Sequence, residues 1–121
     1  MNDTELLERA DAAAAHAYAP YSKFRVGAAV LARDGRVIEG ANVENAAYPL
    51  GVCAERTALS RAVAKGLKPG DLEAIAITAS PCGGCRQWLH EFKLERVTYR
   101  RANGEVVTRT PAEILPDSFD L

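Results

Sequence analysis

The stretch "ASPCGGCRQW" (79–88) places Cys82 and Cys85 in a C-x-x-C. That spacing serves two chemistries, a zinc site or a redox-active dithiol at a strand-to-helix junction. A closed structural zinc site wants four ligands, and the chain holds no second C-x-x-C to supply them. The third cysteine, Cys53, stands in "VCAERTAL" (52–59) with Glu55 and Arg56 just behind it. Each cysteine falls at the expected start of a helix, where about half a positive charge favours thiolate over thiol. Three thiolates around Zn²⁺ leave a net charge of about −1, which two helix N-termini offset. Arg56 adds to that offset by hydrogen bonding a ligand sulfur. Three protein ligands with a fourth position open to water is the arrangement of catalytic zinc. Glu55, two residues from Cys53, is placed to take a proton from that water and pass it on without binding the metal. Such machinery is hydrolytic and suits an electrophilic carbon with an amine leaving group.

Plainer readings compete at each position. A lone cysteine is most often a small core residue, and an acid in a first helical turn is ordinary. A dithiol at Cys82 and Cys85 leaves Cys53 and its neighbours without a purpose. The only histidines, His16 and His90, are not spaced as a fourth zinc ligand and read as partly exposed surface residues. Arg86 reads equally as a solvated charge, and Trp88 reads as core.

The elements that must position these groups follow from periodicity. "DTELLERADAAAAHAYAP" reads as a helix capped at Asp3 or Thr4, with Leu6, Ala10, Ala13, Ala14 and Ala17 on one stripe and Pro20 closing it. The alanine run predicts close approach to another element. "FRVGAAVLA" (24–32) and "RVIEGAN" (36–42) flank Asp34-Gly35, a hairpin signal. Residues 43–51 read as a loop. Residues 53–66 read as a helix with Ala58, Leu59, Ala62 and Val63 buried and Gly66 at its C-terminal cap. "LEAIAITA" (72–79) is a strand, and 81–92 a helix with Trp88, Leu89 and Phe92 inward. Strands 96–101 and 105–110 flank Asn103-Gly104, a second hairpin. "TPAEILP" is a short helix with Thr110 as N-cap, Pro111 first and Glu113 closing a capping box. The order αββαβαββα predicts an α/β fold, a mixed sheet of about five strands with helices on both faces.

The 121 residues predict one domain, 1–121, large enough for a core without disulfides. A net charge of −1 gives no footprint for nucleic acid or an anionic membrane surface, and no apolar run is long enough to span a bilayer. The acidic, amphipathic N-terminus is unlike a signal peptide, and three cysteines fit a reducing compartment, so the chain reads as cytosolic.

Four motifs, "PYSKFRVGAAVL", "GANVENAAYPLGVCAERTAL", "SPCGGCRQWLHEF" and "ILPDSF", together resemble a cytidine deaminase of the small, all-cysteine type, in family order over nearly the whole chain. The resemblance implies one Zn²⁺ per chain on Cys53, Cys82 and Cys85, with Glu55 as the proton carrier between water, the ring N3 and the departing amine. It implies that Asn42 and Glu44 bind the ribose 3′-hydroxyl and that Phe24 packs on the pyrimidine. The Ala54 N–H meets the base carbonyl, and the Ser80 carbonyl the 4-amino group. Tyr48 and Phe119 complete a neighbouring subunit's pocket, the family being usually homotetrameric. The implied activity is hydrolytic deamination of cytidine and 2′-deoxycytidine, serving pyrimidine salvage. Another aminated heterocycle, such as a nucleoside antibiotic, is the alternative substrate. The chain departs from the family pattern in a shorter segment before Ser80 and a shorter C-terminus after Phe119, which makes the pocket rim its most divergent part.

Overall fold

The computed structural model describes residues 1–121. Four helices, α1 (Asp3–Ala14), α2 (Ala54–Ala64), α3 (Gly83–Glu91) and α4 (Pro111–Ile114), alternate with five strands. The strands are β1 (Gly27–Ala32), β2 (Val37–Ala41), β3 (Leu72–Ile77), β4 (Arg96–Arg100) and β5 (Val106–Arg109). They form one sheet in the order β2-β1-β3-β4-β5. Only β3 and β4 run parallel, joined through α3; the other neighbours are antiparallel. The expected order αββαβαββα and the mixed five-stranded sheet are therefore both present, with one added turn of 3₁₀ helix at Tyr48–Leu50.

Strand β1 is apolar throughout and β3 is apolar apart from Glu73 because both sheet faces are covered, whereas β4 sets Val97 and Tyr99 between Arg96, Thr98 and Arg100. Side chains alternate across a strand. Ala28, Val30 and Ala32 join Ile75, Ile77 and Val97 beneath α2 and α3. Ala29, Leu31, Ala74 and Ala76 turn the other way and meet Leu6, Leu7 and Ala10 of α1. The close approach predicted from the alanine run is real: a Cβ at Gly27 would collide with the Ala10 carbonyl and the Ala14 backbone. On the opposite face, a Cβ at Gly40 of β2 would lie 2.7 Å from the Ala54 carbonyl at the head of α2. Two glycines thus let helices lie almost directly on strands.

Several expectations need correction. The N-cap of α1 is Asn2, not Asp3 or Thr4: Asn2 Oδ1 accepts from Glu5 N at 2.8 Å and Glu5 Oε1 from Asn2 N at 3.0 Å. An N-x-x-E capping box was legible there and outweighs a bare Asp or Thr. The helix stops at Ala14, so Ala17 lies beyond it, and Leu7 is buried in its place. Strand β1 begins at Gly27, leaving Phe24 in the preceding loop. Val63 is exposed, because α2 buries Ala54, Glu55, Ala58, Leu59 and Ala62 instead. Both hairpin glycines, Gly35 and Gly104, have positive φ, as does Gly66 just past α2. The Thr110 capping box forms as read.

Candidate active site

Cys53 is the N-cap residue of α2 and Cys82 that of α3. Cys85 sits in the first turn of α3, fully buried. The loop after β2 leads into α2 and β3 leads into α3, and the two helix starts meet at the cysteine cluster. The three sulfurs all lie within 4.8 Å of one another. A tetrahedral zinc with Zn–S bonds of ~2.3 Å holds its sulfurs roughly 3.8 Å apart, so this cluster spans one such ion. Cys82 Sγ accepts from the Cys85 N–H at 3.4 Å. Burial pushes the Cys82 thiol up, but the N–H groups of Cys85 and Gly84 and the neighbouring thiols outweigh it and hold the group below its ordinary value. Burial, and then the Glu55 charge, push Cys85 up, and burial raises Cys53.

Glu55 occupies the second position of α2 and is 4% exposed. Burial raises its carboxyl pKa against the opposing pull of its own backbone N–H and the Cys85 thiol. Arg56 lies against the same cluster. Its Nε is buried without a hydrogen-bond acceptor among the protein's own atoms. A Cβ at Gly84 would collide with its Nη2. A guanidinium held over three sulfurs, with an unsatisfied donor, fits thiolates that keep negative charge while bound to a metal. The donor set, the span and the cationic neighbour together fit zinc, and Cys53, Cys82 and Cys85 are the residues to hold it.

Beside Cys53 opens a cleft of about 610 Å³ lined by Tyr21, Ser22, Asn42, Glu44, Tyr48 and Val52, among others. Asn42 and Glu44 follow β2 in an extended stretch, two apart, and both reach across to the loop before β1. Asn42 Oδ1 accepts from Val26 N at 2.8 Å and its Nδ2 donates to the Phe24 carbonyl at 2.9 Å. Glu44 Oε1 accepts from the N–H groups of Tyr21 and Ser22 at 3.0 and 3.1 Å, and Oε2 from the Ser22 hydroxyl. The Ser22 hydroxyl bond is the foremost cause of a lowered Glu44 pKa. An ionised carboxylate has about four lone-pair sites, so one remains for a ligand; the Asn42 amide keeps one N–H and one lone pair.

The remaining sequence-predicted residues fall around these. Phe24 is 62% exposed and so is not a core residue, and its backbone is tied to Asn42. Ala54 opens α2, so its N–H has no acceptor within the helix. Ser80 precedes Pro81 and Cys82 and is exposed. Tyr48 is 91% exposed on the rim of the cleft. Phe119 does not line it; the C-terminal segment is held at His90, which meets Ser118 Oγ at 3.3 Å and Asp120 at 3.0 Å. Sequence reasoning left three contributors unassigned. Tyr21 and Ser22 anchor Glu44, and Arg86 donates to the carbonyls of Pro81 and Ile114 at 2.9 and 3.0 Å, tying the head of α3 to α4. Trp88 is half-buried and stacks on Phe92 with ring centroids 6.0 Å apart.

The model for the cytidine and deoxycytidylate deaminase zinc-binding region matches residues 1–101. The chain belongs to that deaminase family. A cytidine deaminase from Halalkalibacterium halodurans is 43% identical to it, the match covering 98% of this chain and 95% of the relative. That alignment runs over 127 positions, more than the 121 residues here, so the relative carries residues this deaminase lacks. A crystal structure of cytidine deaminase from Burkholderia pseudomallei superposes with a TM-score of 0.92 at 44% identity, covering 98% of this chain and all of that one. Cytidine deaminase from Mycobacterium tuberculosis gives 0.86 at 38% identity, covering 100% and 99%. The family's zinc-binding region contains all three cysteines.

Proposed function

We propose that this chain releases ammonia from cytidine by zinc-dependent hydrolysis, giving uridine, and treats 2′-deoxycytidine in the same way. It is a cytidine deaminase by family, fold and zinc-binding region. The observation that carries the reading is a buried carboxylate, Glu55, set two residues after one of three clustered thiols at a helix N-terminus. Zinc, when bound, acidifies a water molecule and so supplies the nucleophile. Cys53, Cys82 and Cys85 hold the ion, and the two helix N-termini with Arg56 offset the charge of three thiolates. Glu55 holds a proton readily because burial disfavours its charged form, so it can accept one from water and deliver it to the ring N3 and then to the leaving amine. The free N–H of Ala54 and the Ser80 carbonyl orient the base. Phe24 covers its ring, and the remaining sites on Asn42 and Glu44 take the 3′-hydroxyl.

Residues 1–121 act as one domain, because strands from both halves of the chain share one sheet. No helix is long and apolar enough to cross a membrane. With three free cysteines, a cytoplasmic place in pyrimidine salvage fits. A homotetramer, with Tyr48 and Phe119 reaching a neighbouring subunit's pocket, is supported by the exposure of both rings. The experiment is metal analysis of the purified protein beside ammonia-release assays on cytidine, deoxycytidine and cytosine. One zinc per chain with turnover of both nucleosides is expected. Zinc with turnover of neither would overturn the reading.

A further inference from the structure

Between the two ends of the cleft runs a short hydrogen-bond chain that passes through a single hydroxyl. Ser22 Oγ donates to Glu44 Oε2 and at the same time accepts the Phe24 N–H at 3.0 Å. The Phe24 carbonyl is taken by Asn42 Nδ2 at 2.9 Å. The peptide groups on both sides of Phe24 are therefore fixed, one by Ser22, which Glu44 holds in turn, and one by Asn42. Ser22 itself lines the cleft, and Phe24 stands two residues further along the same loop, whose side chains are mostly exposed.

The loop needs this restraint. Lys23, between Ser22 and Phe24, has φ of 62°, a left-handed conformation that costs any residue with a Cβ free energy and persists only where its surroundings over-determine it. Its own N–H is held by the Ala19 carbonyl at 3.0 Å. Phe24 is 62% exposed, so core packing does little to hold it. The backbone that carries the ring is held by hydrogen bonds at both of its peptide groups. Of the bonds at this turn, only the one through Ser22 joins Phe24 to Glu44. A carboxylate acceptor on one side of a hydroxyl polarises it and strengthens what it accepts on the other.

We propose that Ser22 is a positioning residue that couples the carboxylate of Glu44 to the orientation of Phe24, so that the sugar end and the base end of the cleft are held in one register. This rests on the reading that Phe24 and Glu44 contact a nucleoside. Removing the hydroxyl frees the Phe24 N–H and leaves Oε2 of Glu44 without its donor. The metal cluster and Glu55 lie on other elements and keep their places. The loss falls on binding of the nucleoside rather than on proton transfer, which is a KM effect and not a kcat effect.

The test uses the zinc-loaded enzyme with Ser22→Ala and the conservative Ser22→Thr, which restores a hydroxyl. Two readouts are taken: kcat and KM on cytidine, and amide hydrogen exchange of residues 21–25 without substrate. Ser22→Ala is expected to raise KM about tenfold with kcat within about twofold, the split that marks lost binding. Exchange of the Phe24 amide should quicken, and zinc content should be unchanged. Ser22→Thr should recover most of both effects. An unchanged KM, unaltered exchange, a fall in kcat matching the rise in KM, or Ser22→Thr behaving as Ser22→Ala would each overturn the proposal. If the unaltered enzyme fails to deaminate cytidine, the functional reading falls, and the exchange experiment alone decides whether the Ser22 link exists.

Discussion

A carboxylate that is 4% exposed is expensive to keep ionised, and its own backbone N–H and the Cys85 thiol offset only part of that cost. The fold retains Glu55 there at that cost, although a leucine or methionine would fill the same space. Glu55→Gln keeps the size and removes the titrating proton. Zinc content and fold should be kept while kcat falls by about 10²- to 10⁴-fold, the usual worth of a placed proton carrier. Metal analysis beside ammonia release checks this, and full turnover by a zinc-loaded Glu55→Gln protein would sink the proton-carrier role. A subtler residue is Gly84. Its φ is not among the positive ones, so alanine costs it no left-handed strain, yet a Cβ there collides with the Arg56 guanidinium. Gly84→Ala should displace Arg56 from the thiols and weaken zinc binding roughly tenfold or more, as lost outer-shell partners of metal ligands do. Gly83→Ala is the matched control, with nothing within 4 Å of its Cβ. Competition against a chromophoric chelator reads both, and equal affinities in the two variants would show that Arg56 does not tune the site.

At the scale of elements, the site depends on how closely α2 lies on β2. Gly40→Ala inserts a methyl group against the Ala54 carbonyl and the Ala58 backbone, atoms that cannot swing aside. Overpacking of this kind costs about 1–3 kcal/mol. Because α2 carries Cys53 at its head, the displaced helix should also surrender zinc more readily. Gly35→Ala, at a φ of 96° with open space around it, should cost about 1 kcal/mol through backbone strain and leave zinc retention untouched. Urea unfolding and zinc retention on both variants separate the two; equal zinc loss would mean that stability alone governs the metal. Turn chemistry made most elements legible in the sequence. Asp34-Gly35, Asn103-Gly104 and the Thr110 capping box each impose one local geometry, and each formed. Element ends were harder, because they depend on partners distant in sequence. The helix α1 ends at Ala14, not at Pro20, since Tyr18 turns away to donate to the Asn42 carbonyl at 3.0 Å. Likewise Phe24 reads as strand from its β propensity, but the Ser22 and Asn42 bonds hold it in a loop. The three cysteines were legible because helix starts are local features. The bonds of Ser22, Tyr21 and Arg86 were not, because serine, tyrosine and arginine carry no spacing that names a partner.

For the molecule as a whole, one group of exposed apolar side chains gathers around the cleft, while others, Val63, Val106 and Phe119 among them, do not line it. Tyr48 is 91% exposed, Leu50 68%, Phe24 62% and Tyr21 61%, all on the loops that frame the cleft. Apolar groups gathered in this way suit a subunit interface or a ligand-binding groove. In the proposed homotetramer the same surface is both subunit interface and pocket wall, so assembly and activity should rise and fall together. Sedimentation of the zinc-loaded protein across a dilution series should show a larger species giving way to a smaller one. Specific activity on cytidine should decline over the same concentrations, with zinc retained throughout. Tyr48→Arg, which sets a charge into that face, should move both curves to higher protein concentration by about the same factor, since burying an unpaired charge opposes association while leaving the cysteines and Glu55 in place. A chain that sediments as a monomer at every concentration and keeps its full specific activity would show that one copy closes its own pocket, and that the exposed rings around the cleft serve the nucleoside alone.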